Sequence, residues 1–203
     1  MPFVCTNGSG HGDAGQCLAC HSCLLLSDDH GHTWHFGGPG QSGSREAQAV
    51  QIPSNTSLSA VYVTERNFGP TPGHRMYARS FDGGETLTDY GIDPALPSPV
   101  TKHWTGIVAS VLRFNSTHTR RSAILYTAPE QTSVRANLVA RVSNDGGYTW
   151  SAPNAIDPGL SGYSDLALLP NGVGVGIIFE NGAATFCDRV SFAILPFDWL
   201  PSS

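Results

Sequence analysis

The sequence contains few charged residues, and they carry no excess of positive charge. Asp, Glu, Lys and Arg make up 13% of the 203 residues, and the formal net charge is −5. Nucleic-acid binding requires Lys and Arg that neutralise phosphates, so nucleic acid is excluded as an expected partner. A run of about 18 apolar residues is also lacking, so no membrane-spanning helix is predicted. The opening Met1-Pro2-Phe3-Val4 lacks the charged start and the long apolar stretch of a signal peptide.

Cysteines are few and odd in number: Cys5, Cys17, Cys20, Cys23 and Cys187. The spacing of Cys17, Cys20 and Cys23, with His11 and His21 nearby, is similar to that of metal ligands. A tetrahedral site needs a fourth ligand, however, and no second C-x-x-C is present. The sequence therefore favours a strand that contains Cys20 and Cys23, with some of the cysteines paired as disulfides. No EF-hand-like acidic loop is present either, so we predict neither a metal nor a cofactor.

Glycine and proline, by contrast, are abundant, with 23 and 14 residues. No apolar pattern with the 3.6-residue period of a helix persists for three turns without Gly or Pro, whereas short apolar runs bounded by turn residues recur throughout. This pattern predicts an all-β protein. The predicted strands are Ser22–Leu26, Ala47–Ile52, Ser59–Thr64, His74–Ser80, Gly106–Arg113, Ser122–Thr127, Ala136–Ser143, Ser164–Leu169, Val173–Phe179 and Cys187–Ile194.

An eight-residue pattern, S-x-D-x-G-x-T-W/L, occurs three times and begins at Ser27, Ser80 and Ser143. Repeats of this period predict similar β units that pack side by side, as the blades of a propeller do. In each copy, which we call an Asp box, the Asp accepts backbone N–H bonds, the Gly adopts positive φ and the aromatic residue closes the hairpin. The pattern residues are Ser27, Asp29, Gly31, Thr33 and Trp34; Ser80, Asp82, Gly84 and Thr86; and Ser143, Asp145, Gly147, Thr149 and Trp150.

Several polar residues between and after the Asp boxes are ordinary when taken singly. An Arg in a polar loop is usually a solvated charge, and a Tyr before a strand is usually packing. The residues are Glu46 in E-x-Q, Arg66 in R-N, Arg135 in R-A-N-L, Tyr163 in S-G-Y-S-D-L and Glu180 in F-E-N-G.

In this order, and together with the Asp boxes, these elements resemble the sialidases over essentially all 203 residues, and most of all the animal lysosomal type. The resemblance implies a six-bladed propeller, of which this chain supplies about four blades. Residues 1–203 are then the C-terminal part of a single sialidase propeller domain. It also implies a retaining exo-α-sialidase acting on sialylated glycans, located in the lysosome or secretory pathway. Three N-x-S/T sequons, at Asn7, Asn55 and Asn115, are compatible with that location.

The resemblance assigns a role to each of the five residues. Tyr163 matches the nucleophile, and Glu46 matches the glutamate that accepts its proton. Arg66 and Arg135 match two of three arginines that bind the carboxylate of the sugar, and Glu180 matches the acid that orients the remaining arginine. Sialic acid carries its carboxylate on the reacting carbon, so a neutral tyrosine avoids the charge repulsion that a carboxylate nucleophile would meet.

Two family elements have no counterpart in this sequence. The F/Y-R-I-P element with the first arginine is absent, and so is the acid/base aspartate, which predicts that about a third of the usual domain is missing at the N-terminus. Arg45 does not match the missing arginine. His11, His21 and Asp13 are of a type that can protonate a leaving group, with nothing further in support.

The sequence leaves two other functions open. One is a non-catalytic propeller that binds sialylated glycans or a protein through Arg66 and Arg135. The other is an Asp-box propeller that acts on another glycan or serves as a receptor. A protective protein partner or an oligomer is compatible with the sequence, which identifies neither.

Overall fold

The computed structural model of the chain describes residues 2–6, 20–53, 59–102, 105–115 and 122–202, without the side chains of residues 2–6 and 171. These residues form thirteen β-strands and one 3-10 turn, which confirms the all-β class. The strands are β1 Pro2–Thr6, β2 Cys20–Leu26, β3 His35–Pro39, β4 Ser44–Ile52, β5 Ala60–Asn67, β6 His74–Ser80, β7 Thr88–Pro97, β8 Ser110–Asn115, β9 Ser122–Pro129, β10 Ala136–Ser143, β11 Asn154–Leu168, β12 Val175–Gly182 and β13 Arg189–Leu195, with the 3-10 turn at Pro170–Gly172.

The strands form three antiparallel sheets in the orders β1-β2-β3, β4-β5-β6-β7 and β13-β12-β11-β10-β9-β8. The third sheet contains parts of two blades, because the first half of β11 pairs with β10 and the second half, from Leu160, pairs with β12. The strands therefore divide into blades of three, four, four and three strands, numbered 1 to 4 along the chain, with β11 contributing to the last two. This arrangement accounts for the predicted set of about four blades and confirms an open propeller.

No strand was predicted from the sequence at β1. Strands β3 and β7 were not predicted either. Each directly follows an Asp box, and their side chains are mostly polar or exposed, as in Thr88, Asp89 and Tyr90. Their sequences lack the apolar alternation by which strands are recognised, because the outer strand of a blade packs against little.

Apolar side chains fill the spaces between the sheets. Leu24 packs with Val63, Ala78 and Leu87 between blades 1 and 2. A larger cluster joins the inner side of blade 2 to blade 3 through Tyr62, Ile107 and Tyr126, among others. Burying each such side chain contributes about 1.5–3 kcal/mol relative to an exposed one, so these contacts hold the blades together.

The three Asp boxes have the same hydrogen bonds. In the second box, Asp82 Oδ1 accepts from Thr86 N at 3.0 Å, Asp82 Oδ2 accepts from Thr86 Oγ1 at 2.6 Å, and Gly84 N donates to Ser80 Oγ at 2.7 Å. Asp29 and Asp145 make the equivalent bonds, and Gly31, Gly84 and Gly147 all have positive φ. The hydrogen bonds that hold each turn are thus made between residues of the same Asp box.

Each later Asp box also packs on the blade that precedes it. Gly84 of the second box lies against Leu24 and Leu26 of blade 1, and its carbonyl accepts from Gly38 N at 2.9 Å. Gly147 of the third box lies against Tyr62 of blade 2. The first box has no preceding blade among the described residues, and its Trp34 is 50% exposed.

The opposite end of the blade series is also uncovered. Ile178 of β12 and Val190, Phe192 and Ile194 of β13 lie on one face of blade 4, and each is about half or more exposed. Apolar faces of this kind are normally buried by a neighbouring element, as the matching faces of the inner blades are.

The contribution of Asp82 to stability is expected to depend on pH. Hydrogen bonds from the Thr86 side chain and backbone lower the pKa of Asp82 from 3.8 to about 2. Because the pKa in the folded protein is below its unfolded value, the stabilisation is complete above about pH 4 and is lost as the pH falls through 2. Asp82→Asn is therefore expected to lower the melting temperature at pH 6 by about 2–4 °C, and the difference should shrink toward pH 2.

Asp28→Asn is the matched control, because Asp28 is an exposed aspartate beside Asp29, and Asp29 is the residue that makes the hydrogen bonds of that turn. Equal effects of the two substitutions at pH 6 would contradict the role of the Asp82 turn.

The cysteine prediction is confirmed in part. Cys20 and Cys23 lie on β2 and are both disulfide-bonded, whereas Cys187 is free and exposed. The described part of the structure does not include the side chain of Cys5. It also does not include Asn7, His11, Asp13, Cys17, Asn55 or residues 116–117 of the third sequon. Within the described ranges, no His, Cys, Asp and Glu side chains cluster as metal ligands, and no helix is long and apolar enough to span a membrane.

Candidate active site

Irregularities in three strands place the candidate residues at one end of the propeller. The β4–β5 register shifts between Arg45 and Gln48, and Glu46 within this bulge has a positive φ of 31°. The β11–β12 register shifts between Ser161 and Ser164, on either side of Tyr163. The β10–β11 register shifts between Ala136 and Leu138, close to Arg135, which precedes β10. Bulges redirect side chains out of the regular alternation, so these residues point into a shared space.

Arg66 lies at the centre of the candidate site. Its Nη1 donates to Glu46 Oε2 and lies 3.4 Å from Tyr163 Oη. Arg66 is 3% exposed and Tyr163 is 37% exposed, so the guanidinium forms the floor of the site and the phenol its accessible rim. The contacts of these described side chains do not include a direct Glu46–Tyr163 hydrogen bond, because Arg66 lies between the two.

Arg135 forms a second buried cation beside the first. Its guanidinium lies 5.5 Å from the centre of the Tyr163 ring and 4.8 Å from that of the Phe186 ring. Burial, followed by the positive charge of Arg66, lowers the pKa of Arg135. The two arginines thus form a site that favours an anion, which would offset both the burial and the mutual repulsion.

Glu180 contacts the backbone next to the tyrosine. Its Oε2 accepts from Tyr163 N at 3.0 Å, and a Cβ at Gly162 would clash with this carboxylate. The structure therefore places Glu180 in the site, where it holds the bulge that carries Tyr163.

A polar cluster joins the innermost strands of blades 2, 3 and 4. Gln48 Oε1 accepts from Val111 N at 3.0 Å. Ser110 Oγ lies 3.1 Å from Gln48 Oε1 and 3.0 Å from Asp165 Oδ1, so its single proton can be donated to either oxygen. Gln48 is two residues beyond Glu46, and Asp165 is two residues beyond Tyr163. The cluster therefore connects the two bulged strands directly below the site.

Sequence reasoning missed two aromatic residues of this region. Phe68 lies 4.5 Å from the Arg66 guanidinium and 5.0 Å from that of Arg45. Phe186 covers Arg135 from the β12–β13 loop, in which Asp188 accepts from the backbone N–H groups of residues 183–185. These bonds and the Thr185 hydroxyl lower the pKa of Asp188 to about 2. The only sequence signal for this loop is a Thr three residues before an Asp, which is too common to be informative.

The fold and this site define an open Asp-box β-propeller with two buried arginines beside an accessible tyrosine. The family model described as "BNR repeat-like domain" matches residues 8–177. The chain therefore belongs to this family, and the curated relatives that it resembles are sialidases.

A sialidase from Micromonospora viridifaciens is 29% identical over 90% of this chain and 26% of its own length. Sialidase-2 from Rattus norvegicus is 30% identical over 78% of this chain and 42% of its own length. The crystal structure of a leech intramolecular trans-sialidase, complexed with 2,7-anhydro-Neu5Ac, has a similar fold with a TM-score of 0.70 and 24% identity, over 92% of this chain and 29% of that one. The chain thus spans less than half the length of these relatives.

Proposed function

We propose that the site serves a retaining exo-α-sialidase reaction, in which terminal sialic acid is removed from glycoproteins, glycolipids or oligosaccharides. The observation that carries this proposal is the meeting of Arg66, Arg135, Glu46 and Tyr163, which come from three different blades, at one accessible point. A receptor that only binds glycans has no need of a carboxylate and a tyrosine hydroxyl that share one guanidinium partner.

The arginine pair is suited to the carboxylate of the sugar. Guanidinium groups present a planar fork of donors that matches two carboxylate oxygens. Glu46 Oε2 accepts a hydrogen bond from Arg66 Nη1. We infer that the incoming carboxylate replaces Glu46 there, and that the released Glu46 turns to the neighbouring Tyr163 hydroxyl. Substrate binding then prepares the base as well as the sugar.

The proposed chemistry follows from this exchange. The Tyr163 oxygen attacks the anomeric carbon while its proton passes to Glu46, and the bond to the leaving oxygen breaks as that oxygen takes a proton from solvent water. Water then attacks the anomeric carbon, the tyrosyl–sugar bond breaks with overall retention of configuration, and Glu46 returns the proton to the Tyr163 oxygen. An Asp or Glu nucleophile would lie about 4 Å from the substrate carboxylate, with a repulsion of about 4 kcal/mol at an effective dielectric of 20. The neutral phenol avoids this cost.

Disulfides support an oxidising location for the reaction. Cys20 and Cys23 are both disulfide-bonded, and disulfides persist mainly in secreted proteins and in the compartments of the secretory pathway. We therefore propose the lysosome or the secretory pathway as the site of action, which is also what the resemblance implies.

The test uses a probe that needs no acid catalyst, since no acid/base aspartate is recognised in the sequence. In 2,3-difluorosialic acid, the fluoride at the anomeric carbon leaves without protonation, and the second fluorine slows hydrolysis of the product. Intact-mass measurement is expected to show one covalent adduct per chain, and peptide mapping should place it on Tyr163.

Tyr163→Phe is the control and should remain unlabelled under the same conditions. Labelling at another residue would overturn the proposed nucleophile. Reversible sialic acid binding without any adduct would overturn the catalytic proposal in favour of a glycan-binding propeller.

A further inference from the structure

The segment Thr105–Ile107, which connects blade 2 to β8, contacts three arginines through consecutive carbonyl oxygens. Thr105 O accepts from Arg66 Nε at 2.9 Å, Gly106 O accepts from Arg135 Nη2 at 3.5 Å, and Ile107 O accepts from Arg75 Nη1. All three arginines are buried. We call Thr105–Ile107 the carbonyl segment.

The carbonyl segment offsets the electrostatic repulsion between the arginines of the site. Two guanidinium groups held together in a buried space repel each other, and the pKa of Arg135 is lowered for this reason in addition to burial. Carbonyl oxygens carry partial negative charge and accept only in certain directions. Three of them in sequence therefore both reduce the repulsion and fix the orientation of each guanidinium.

Gly106 is the residue on which this arrangement depends. Its φ of +66° lies in the left-handed region, which most side chains disfavour. A Cβ at this position would lie 3.0 Å from Arg66 Cγ and 3.4 Å from Ser98 Oγ. Any side chain at position 106 therefore presses on the aliphatic part of Arg66. The guanidinium of Arg66 lies against the Phe68 ring, which restricts its movement.

We propose that the carbonyl segment is a positioning element that sets the geometry of the Arg66–Arg135 pair, with Gly106 as its essential residue. The proposal rests on the proposed function as far as binding of the substrate carboxylate is concerned. The arrangement of the arginines can be measured independently of any activity.

The experiment compares Gly106→Ala with Gly172→Ala. Gly172 has a φ of +71° and no atom within 4 Å of the position of an added Cβ, so its alanine has the same backbone strain and no contact. Gly106→Asn is included because asparagine tolerates positive φ better than alanine but places its Cβ at the same point. This variant folds under less strain and tests the same contact.

The first readout is the arginine Nε–H signals in nitrogen–proton NMR spectra, assigned with Arg66→Lys and Arg135→Lys. Both Gly106 variants are expected to shift the Arg66 Nε–H signal and to speed its exchange with solvent at least tenfold, whereas Gly172→Ala leaves it unchanged. An unchanged Arg66 signal in the Gly106 variants would overturn the proposal, whatever the protein does with sugars.

The second readout is the concentration dependence of labelling by 2,3-difluorosialic acid, which separates binding from the covalent step. The Gly106 variants are expected to weaken the first, reversible complex about tenfold or more and to change the covalent rate constant less than threefold. Equal binding in the Gly106 and Gly172 variants would overturn the positioning role. Absence of labelling in the unmodified protein, with a shifted Arg66 signal, would refute the sialidase proposal and leave the carbonyl segment established as an arginine-positioning element.

Discussion

Glu46→Gln is expected to slow the labelling of Tyr163 by 2,3-difluorosialic acid by about 10²–10⁴-fold, the usual effect of removing a general base. The amide has nearly the same shape as the carboxylate and retains a hydrogen-bond acceptor for Arg66, but it cannot accept the phenolic proton. The first reversible complex should therefore form almost normally. The measurement is the rate constant of the covalent step at saturating probe.

Glu85→Gln serves as the matched control, because Glu85 is an exposed glutamate in the second Asp box that pairs with His35, away from the site. Raising the pH should recover part of the Glu46→Gln rate, since hydroxide can remove the proton that Glu46 no longer accepts. A Glu46→Gln rate within a factor of three of the unmodified protein would show that Glu46 is only a partner of Arg66.

Arg79→Leu is expected to produce the largest loss of stability, about 2–5 kcal/mol in the free energy of unfolding, because each carbonyl left without its donor costs about 1–3 kcal/mol. Arg79 is 1% exposed and joins blade 2 to the third Asp box. Its Nη2 donates to Gly147 O at 2.6 Å, its Nε donates to Gly146 O at 3.2 Å, and its Nη1 pairs with Asp89 at 2.7 Å. Its guanidinium also lies 3.7 Å from the centre of the Tyr148 ring. Leucine would leave two carbonyls and a carboxylate without their partner.

Urea denaturation followed by tryptophan fluorescence would measure this loss, since Trp150 belongs to the same Asp box. Arg189→Leu is the control, because Arg189 is exposed and contacts Asn181 within its own blade. A difference below 1 kcal/mol between the two variants would mean that the blade contact depends on apolar packing alone.

The sequence predicted the parts of the fold that follow local rules. Strands β6 and β10 were placed with their observed bounds, because each is a short run that contains apolar residues and leads directly into an Asp box. The Asp-box turns could also be predicted from the sequence, since the hydrogen bonds of each turn lie within eight consecutive residues. The outer strands β3 and β7 were not, because little packs against them and they lack a periodic pattern.

The candidate site was less accessible to prediction. The resemblance named Glu46, Arg66 and Tyr163, and the structure brings them together. The bulge that gives Glu46 its positive φ arises from the pairing of two strands and leaves no local sign in the sequence. The same holds for Arg79, which bonds to Gly147, and for Gly106, which lies against Arg66, because the members of each pair are distant in the chain.

Each later Asp box packs on the blade that precedes it, and this affects how easily the individual blades open. Each blade is held mainly by its neighbours, so stability approximates a series of nearest-neighbour terms, and the two end blades open most easily. The arginines come from the interior blades, whereas Tyr163 belongs to blade 4, whose apolar outer face is uncovered among the described residues. The anion-binding half of the site is then expected to persist through local opening events that release the tyrosine. Amide hydrogen exchange would register this as slow exchange in β5 and β9 and faster exchange in β12 and β13.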